Sequence, residues 1–212
     1  MPNRTISEEL FEHLCSSSKV PCQPVVTGAE RTPDFRIWLG GIQVICEVKQ
    51  INPNAEDRAE LEDANCGEAV GRLVPNRMRK TMKDVSAQLK VASRGGFPTL
   101  LVVYDNTPFK MYTFHSDVVQ AIFGHDCVSV SFFDNSADPP MVSEPFFGGD
   151  RAFTPNQNTS VSALAILDGG PTSRLSLRVY HNPYALVLLQ TEILDVLPVT
   201  RCLLPDATRI TL

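Results

Sequence analysis

The segment from Pro33 to Gln50 constrains the fold more than any other part of the chain. Asp34-Phe35-Arg36-Ile37-Trp38-Leu39 and Ile42 to Gln50 are two runs rich in β-branched and aromatic residues, and Gly40-Gly41 between them supplies the backbone freedom of a two-residue hairpin turn. Two antiparallel strands are therefore expected. Side chains alternate along a strand, so Ile42, Val44, Cys46 and Val48 share one face while Glu47 and Lys49 share the other. Because the flanking residues are strongly apolar, both faces should be covered, and an idle Glu and Lys there would be costly. The plainer alternatives are an exposed cross-strand ion pair that contributes little, and an Asp34 that only shapes a turn after proline.

The remaining elements follow from periodicity. Ile6, Leu10, Phe11 and Leu14 fall on one helical face, with Ser7 and Glu8 near the start, which predicts a helix over 6–17. Val25 and Val26 predict a short strand before the Gly28 turn. Residues 52–74, polar and acidic, read as a helical insertion or a mobile loop. Pro75 opens a helix in which Met78, Met82, Val85, Leu89 and Ala92 form the apolar stripe; Gly95-Gly96 ends it, and Arg77, Arg79, Lys80, Lys83 and Lys90 occupy its other faces. Thr99 to Tyr104 is a nearly continuous apolar run, as expected of a strand buried on both faces. Further strands are expected at 128–133, 160–167 and 175–180, with a long loop over 134–158. The pattern predicts one α/β domain over 1–212, a central mixed sheet flanked by helices.

Bulk properties narrow the function classes. The formal charge of −5 argues against a general nucleic-acid coat protein, which needs concentrated Lys and Arg, but leaves room for a carboxylate-rich centre beside a local basic stretch. The first twenty residues contain acids and no continuous apolar run, and no later segment has the length of a membrane span, so a cytoplasmic protein is expected. The six cysteines form no C-x-x-C pair, and no histidine stands at finger-like spacing from them; reduced, mostly buried thiols are expected rather than zinc ligands. His13, His115, His125 and His181 are isolated and read as structural or surface residues.

Strand pairing can bring the Asp34 carboxylate close to Glu47. Two convergent carboxylates suit a hard divalent cation such as Mg²⁺, with Mn²⁺ as its substitute, because such ions prefer oxygen ligands and keep waters that can be activated. Lys49 beside them can polarise a water and stabilise charge on a phosphate. The chemistry this set suits is phosphodiester hydrolysis.

Pro33-Asp34, a turn, then Glu47-Val48-Lys49 resembles the PD-(D/E)XK nuclease superfamily. Ser7-Glu8-Glu9-Leu10-Phe11-Glu12 looks like that family's first core helix, and the helix from about 76 to 94 with the strand from 98 to 104 looks like its later core steps. The resemblance covers about 6–106, with 107–212 as an extension of the same domain. It implies a restriction-endonuclease-like core and a nuclease in which Asp34, Glu47 and the Val48 carbonyl bind metal. Lys49 would then align and activate water, and Glu8 would support a second metal or orient a ligand. Arg77, Lys83 and Gln88 would steady the substrate backbone. The implied partner is nucleic acid, DNA in preference to RNA, with no membrane; a homodimer is compatible with it. Each residue keeps a simpler reading: Glu8 as an acid favouring the helix dipole, Arg77 and Lys83 as a solvated face. A catalytically inactive nuclease-fold module that binds nucleic acid or protein is the alternative function, and an acidic groove contacting protein through 52–74 is a third. Asn158 to Ala163 and His181 to Ala185 look similar to the tails of uncharacterised single-domain relatives, with no chemical role attached.

Overall fold

The computed structural model describes residues 4–25, 32–65, 75–108, 110–132 and 140–202. Its centre is a mixed seven-stranded sheet in which spatial order equals chain order: β1 (Cys22–Pro24), β2 (Phe35–Leu39), β3 (Ile42–Ile51), β4 (Thr99–Asp105), β5 (Ala163–Gly170), β6 (Ser173–His181) and β7 (Val199–Arg201). The first three strands form an antiparallel meander. Next, β3, β4 and β5 run parallel; β5 and β6 form an antiparallel hairpin, and β7 adds parallel to β6. The expected α/β fold with a central mixed sheet flanked by helices is what the chain adopts.

Helix α1 (Ile6–Ser17) packs on one face of the sheet, burying Leu10, Phe11 and Leu14 against Phe35, Ile37, Val44 and Cys46. On the other face lie α3 (Pro75–Arg94) and α4 (His115–Phe123), where Met78, Met82, Val85 and Leu89 meet Ile45, Leu101, Val103 and Ile166. Sandwiched between the two layers, β4 is buried at every residue, and each large apolar side chain so covered contributes roughly 1.5–3 kcal/mol. Helix α2 (Ala55–Asn65) begins with a reciprocal cap: Asp57 N–H donates to Asn54 Oδ1 and Asn54 N–H to Asp57 Oδ2, both at 2.8 Å. The helical reading of 52–74 thus holds for 55–65, while 66–74 lies outside the described residues.

Several expectations shift. The first strand is Cys22–Pro24 rather than the valines after it, because its place is set by pairing Cys22 with Ile37 across β2; Val26 lies outside the described residues. The strand expected at 128–133 reduces to Val130–Ser131, paired with Met141–Val142, and a second short ladder joins Asp126–Cys127 to Phe146–Phe147. The 134–158 segment is therefore not loop throughout. The strand expected at 160–167 starts at Ala163, because Ser160 and Ser162 serve a side-chain network instead: Thr99 Oγ1 donates to Ser160 O at 2.6 Å and accepts Ser162 N–H at 3.0 Å. Asn182, fully buried, donates to Asn158 O and Val161 O and accepts Tyr184 N–H at 2.9 Å. The two tail motifs are thereby joined to each other. Of the five described cysteines, all free, Cys15 and Cys46 are buried while Cys22, Cys127 and Cys202 are half-buried, fewer buried than composition implied. Among the described residues no helix is long and apolar enough to cross a membrane.

Candidate active site

The β2–β3 hairpin builds the centre. Phe35 pairs with Cys46, so Asp34, one residue earlier, stands opposite Glu47 and shares its face, the one that α3 covers. Asp34 Oδ2 accepts the Val48 N–H at 2.8 Å, which fixes the carboxylate at the strand end. Glu47 is completely buried and forms an ion pair with Lys49 Nζ, whose side chain remains 35% exposed. Beyond that pair, neither Glu47 oxygen has a hydrogen bond of good geometry.

Burial and neighbouring charges shift both carboxyls. Burial pushes the Glu47 carboxyl up to about 7, the Asp34 charge adds to the rise, and Lys49 with the Gln88 amide opposes it. Burial likewise raises Asp34 above its ordinary value, against the Val48 amide and Lys49, with Glu8 adding to the rise. Asp34, Glu47, Lys49, Gln88 and Glu8 thus act on one another within a single neighbourhood.

Beside the centre opens a cleft of ≈ 510 Å³ lined by Lys49, Gln50, Thr81, Asp84 and Gln88; Lys49 reaches it, whereas Asp34 and Glu47 do not line it. Thr81, Asp84 and Gln88 project from one side of α3, beside its apolar stripe. Gln50 Oε1 accepts the Ser7 N–H at 3.0 Å, which ties the first turn of α1 to the rim. Gln50, Thr81 and Asp84 escaped the sequence reading; their signal was the i, i+3, i+7 spacing of Thr81, Asp84 and Gln88 on the helix already expected to face Glu47.

Other expected site residues have different occupations. Glu8 completes a capping box, its carboxylate accepting Thr5 N–H at 2.8 Å, and reaches Asp34 through its field. Arg77 is committed to structure: it donates to Asp57 at 2.7 Å and to Asn52 O at 2.5 Å, and lies over the Tyr112 ring at 4.4 Å. Lys83 is exposed and does not line the cleft. Val48 meets the centre through its amide.

Do these residues fit a divalent cation? Among the described residues no three His, Cys, Asp or Glu side chains gather as a metal-binding group. The donor set here is two carboxylates, and a buried Glu47 whose oxygens lack good hydrogen bonds is suited to a cation that would relieve its raised pKa. Mg²⁺ needs few protein ligands because it keeps its waters, so the residues fit. Comparison with protein-family models, curated proteins and solved structures finds no match in any of the three.

Proposed function

We propose that the protein is a metal-dependent nuclease that hydrolyses phosphodiester bonds in nucleic acid, with an affinity to the PD-(D/E)XK superfamily. The observation that carries this reading is the buried Glu47 carboxylate, which stands opposite Asp34 across the hairpin and pairs with Lys49, a residue that lines an open cleft. Burial and the Asp34 charge disfavour the ionised form of Glu47, and Lys49 offsets this only in part, so a divalent cation would stabilise the centre.

Asp34 and Glu47 would hold Mg²⁺ or Mn²⁺, with backbone and water completing the set. Such an ion, when bound, supplies an acidified water and neutralises charge on the phosphate. Lys49, half-exposed, would leave Glu47 to donate to a non-bridging phosphate oxygen and to the attacking water. Gln88 and Gln50, at the cleft wall, would position the phosphate by neutral hydrogen bonds, and Asp84 would take a proton or a bridging water. Thr81, whose hydroxyl donates to Arg77 O at 3.0 Å, would offer only its oxygen as an acceptor at the rim.

A second reading rests on the same ion pair. Lys49 closed onto Glu47 is also how a nuclease fold without activity would neutralise its old centre, leaving a module that binds nucleic acid or protein. Cleavage assays with single-stranded, double-stranded and branched DNA and RNA in Mg²⁺ and Mn²⁺ decide between them. Hydrolysis that is lost in Lys49→Ala and Glu47→Ala supports the enzyme, whereas activity unchanged in both variants assigns it to a contaminant. Binding without cleavage in either metal selects the module.

A further inference from the structure

Among the described residues, the face of β2 beside the candidate centre is partly open. Helix α3 covers β3 and β4, but no β1 or β2 residue joins the apolar cluster on that side. Alternation places Asp34, Arg36 and Trp38 on this face, and the register puts Gln23 beside Arg36 and Gln43 opposite Trp38. Arg36 and Gln23 are exposed; Trp38 and Gln43 are half-buried. Among the described residues Arg36 has no ion pair or hydrogen-bonding partner for its guanidinium. At the turn end of the hairpin, Trp38 lines a hollow of ≈ 700 Å³ together with Lys19, Pro21, Gly41 and Val196. The floor at Gly41 carries no side chain, and even an added Cβ there would meet nothing within 4 Å.

We propose that this face is a binding track for a single-stranded segment of nucleic acid, in which Arg36 meets a backbone phosphate and Trp38 stacks a base. The proposal deepens the nuclease reading and rests on it. Successive residues of the row stand roughly 7 Å apart, so Arg36 is one step and Trp38 two steps from the Asp34–Glu47 centre. That is the order in which a strand leaving the cleft would present a phosphate and then a base. An indole offers every base a stacking partner without reading its identity, and an unpaired guanidinium beside it supplies the charge. A duplex keeps its base faces occupied and cannot use Trp38 in this way. The assignment also locates positive potential in a chain whose net charge is −5.

Trp38 is the single tryptophan, so its emission reports this site alone. The full chain, in EDTA to prevent turnover, is titrated with oligothymidylate, oligouridylate and duplex DNA while Trp38 fluorescence and the anisotropy of labelled strands are followed. Quenching by either single strand, with little response to duplex, is the expected result. Trp38→Ala should weaken single-strand binding roughly tenfold or more, and Trp38→Phe should recover most of it. Arg36→Ala should lower the salt slope by about 0.7 for a single strand. Circular-dichroism melts should match wild type for Arg36→Ala and Trp38→Phe, which keeps the comparison independent of folding. Strands that bind with unchanged Trp38 emission and equal affinity in these variants would overturn the track and leave the hydrolytic reading intact. Equal quenching by duplex would overturn the single-strand assignment. Binding with the expected signatures but no cleavage in Mg²⁺ would support the track and reject hydrolysis, and failure of every nucleic acid to bind in EDTA, with no cleavage in Mg²⁺ or Mn²⁺, would reject both.

Discussion

Asp34 Oδ2 accepts the backbone N–H of Val48 at 2.8 Å, so one carboxylate oxygen clamps the hairpin while the charge it carries faces Glu47. The two roles are separable by substitution. Asp34→Asn keeps an oxygen for the Val48 amide and removes the charge, so its melting temperature should stay near wild type while Mg²⁺ binding by calorimetry falls at least tenfold. Asp34→Ala loses both and should cost about 1–2 kcal/mol in urea unfolding as well.

Glu47 gives a pH dependence with a definite sign. Its carboxyl ionises near 4.5 in the unfolded chain and at about 7 when folded. Below the lower value both states are protonated; between the two, the folded protein holds a proton that the unfolded chain has released. Stability therefore falls as pH rises through this window, by about 3 kcal/mol at most, and the loss is complete above the folded value. Glu47→Gln removes this slope. In metal-free buffer its melting temperature should be close to wild type near about pH 5 and above it near about pH 8. Added Mg²⁺ should narrow the difference by stabilising wild type only.

Arg77 holds α2, α3 and the turn before α4 together through Asp57 and Tyr112, whose hydroxyl also donates to Asp57. Burial would push Asp57 up, but Tyr112, the Asn54 amide and Arg77 hold it below its ordinary value. That stability is present above the unfolded value and is lost on acidification. Arg77→Ala should destabilise by about 2–4 kcal/mol, read from denaturant midpoints, and Asp57→Asn in the same chain should recover part of it. Oligonucleotide affinity measured well below the melting temperature should change little.

Asn182→Ala would leave the Asn158 and Val161 carbonyls and the Tyr184 amide without their partner in a dry interior. A loss of about 2–3 kcal/mol is expected by urea denaturation, with hydrolysis per folded molecule unchanged.

The hairpin, α1 and α3 were legible because each combines a periodic pattern with a glycine or proline stop, and β4 because it is an unbroken apolar run after Gly95-Gly96 and Pro98. Helix α4 was not: His115–Phe123 is short and has no side-chain N-cap, so no start signal marked the stripe of Val118, Ala121 and Ile122. The edge strands β1 and β7, of three residues each, are defined by what they pair with rather than by their own propensity. Glu47 and Lys49 could be placed on one face by alternation, with Asp34 brought near them only by strand pairing, whose register the sequence leaves open, whereas Arg77 could not be assigned, because its partners Asp57 and Tyr112 are remote in the chain. A basic helix face names its charges but not their destinations.

Because neighbours in the sheet are also neighbours in the chain, the molecule can be laid down in the direction of synthesis. Each strand leaving the ribosome finds its partner already made, and domains assembled this way complete their N-terminal parts first. Asp34, Glu47, Lys49 and Gln88 all precede β4, so the whole candidate centre emerges before the strands that later shield its far flank. A nascent chain stalled after β4 would expose that flank of the sheet, a surface that chaperones would be expected to meet before any substrate does.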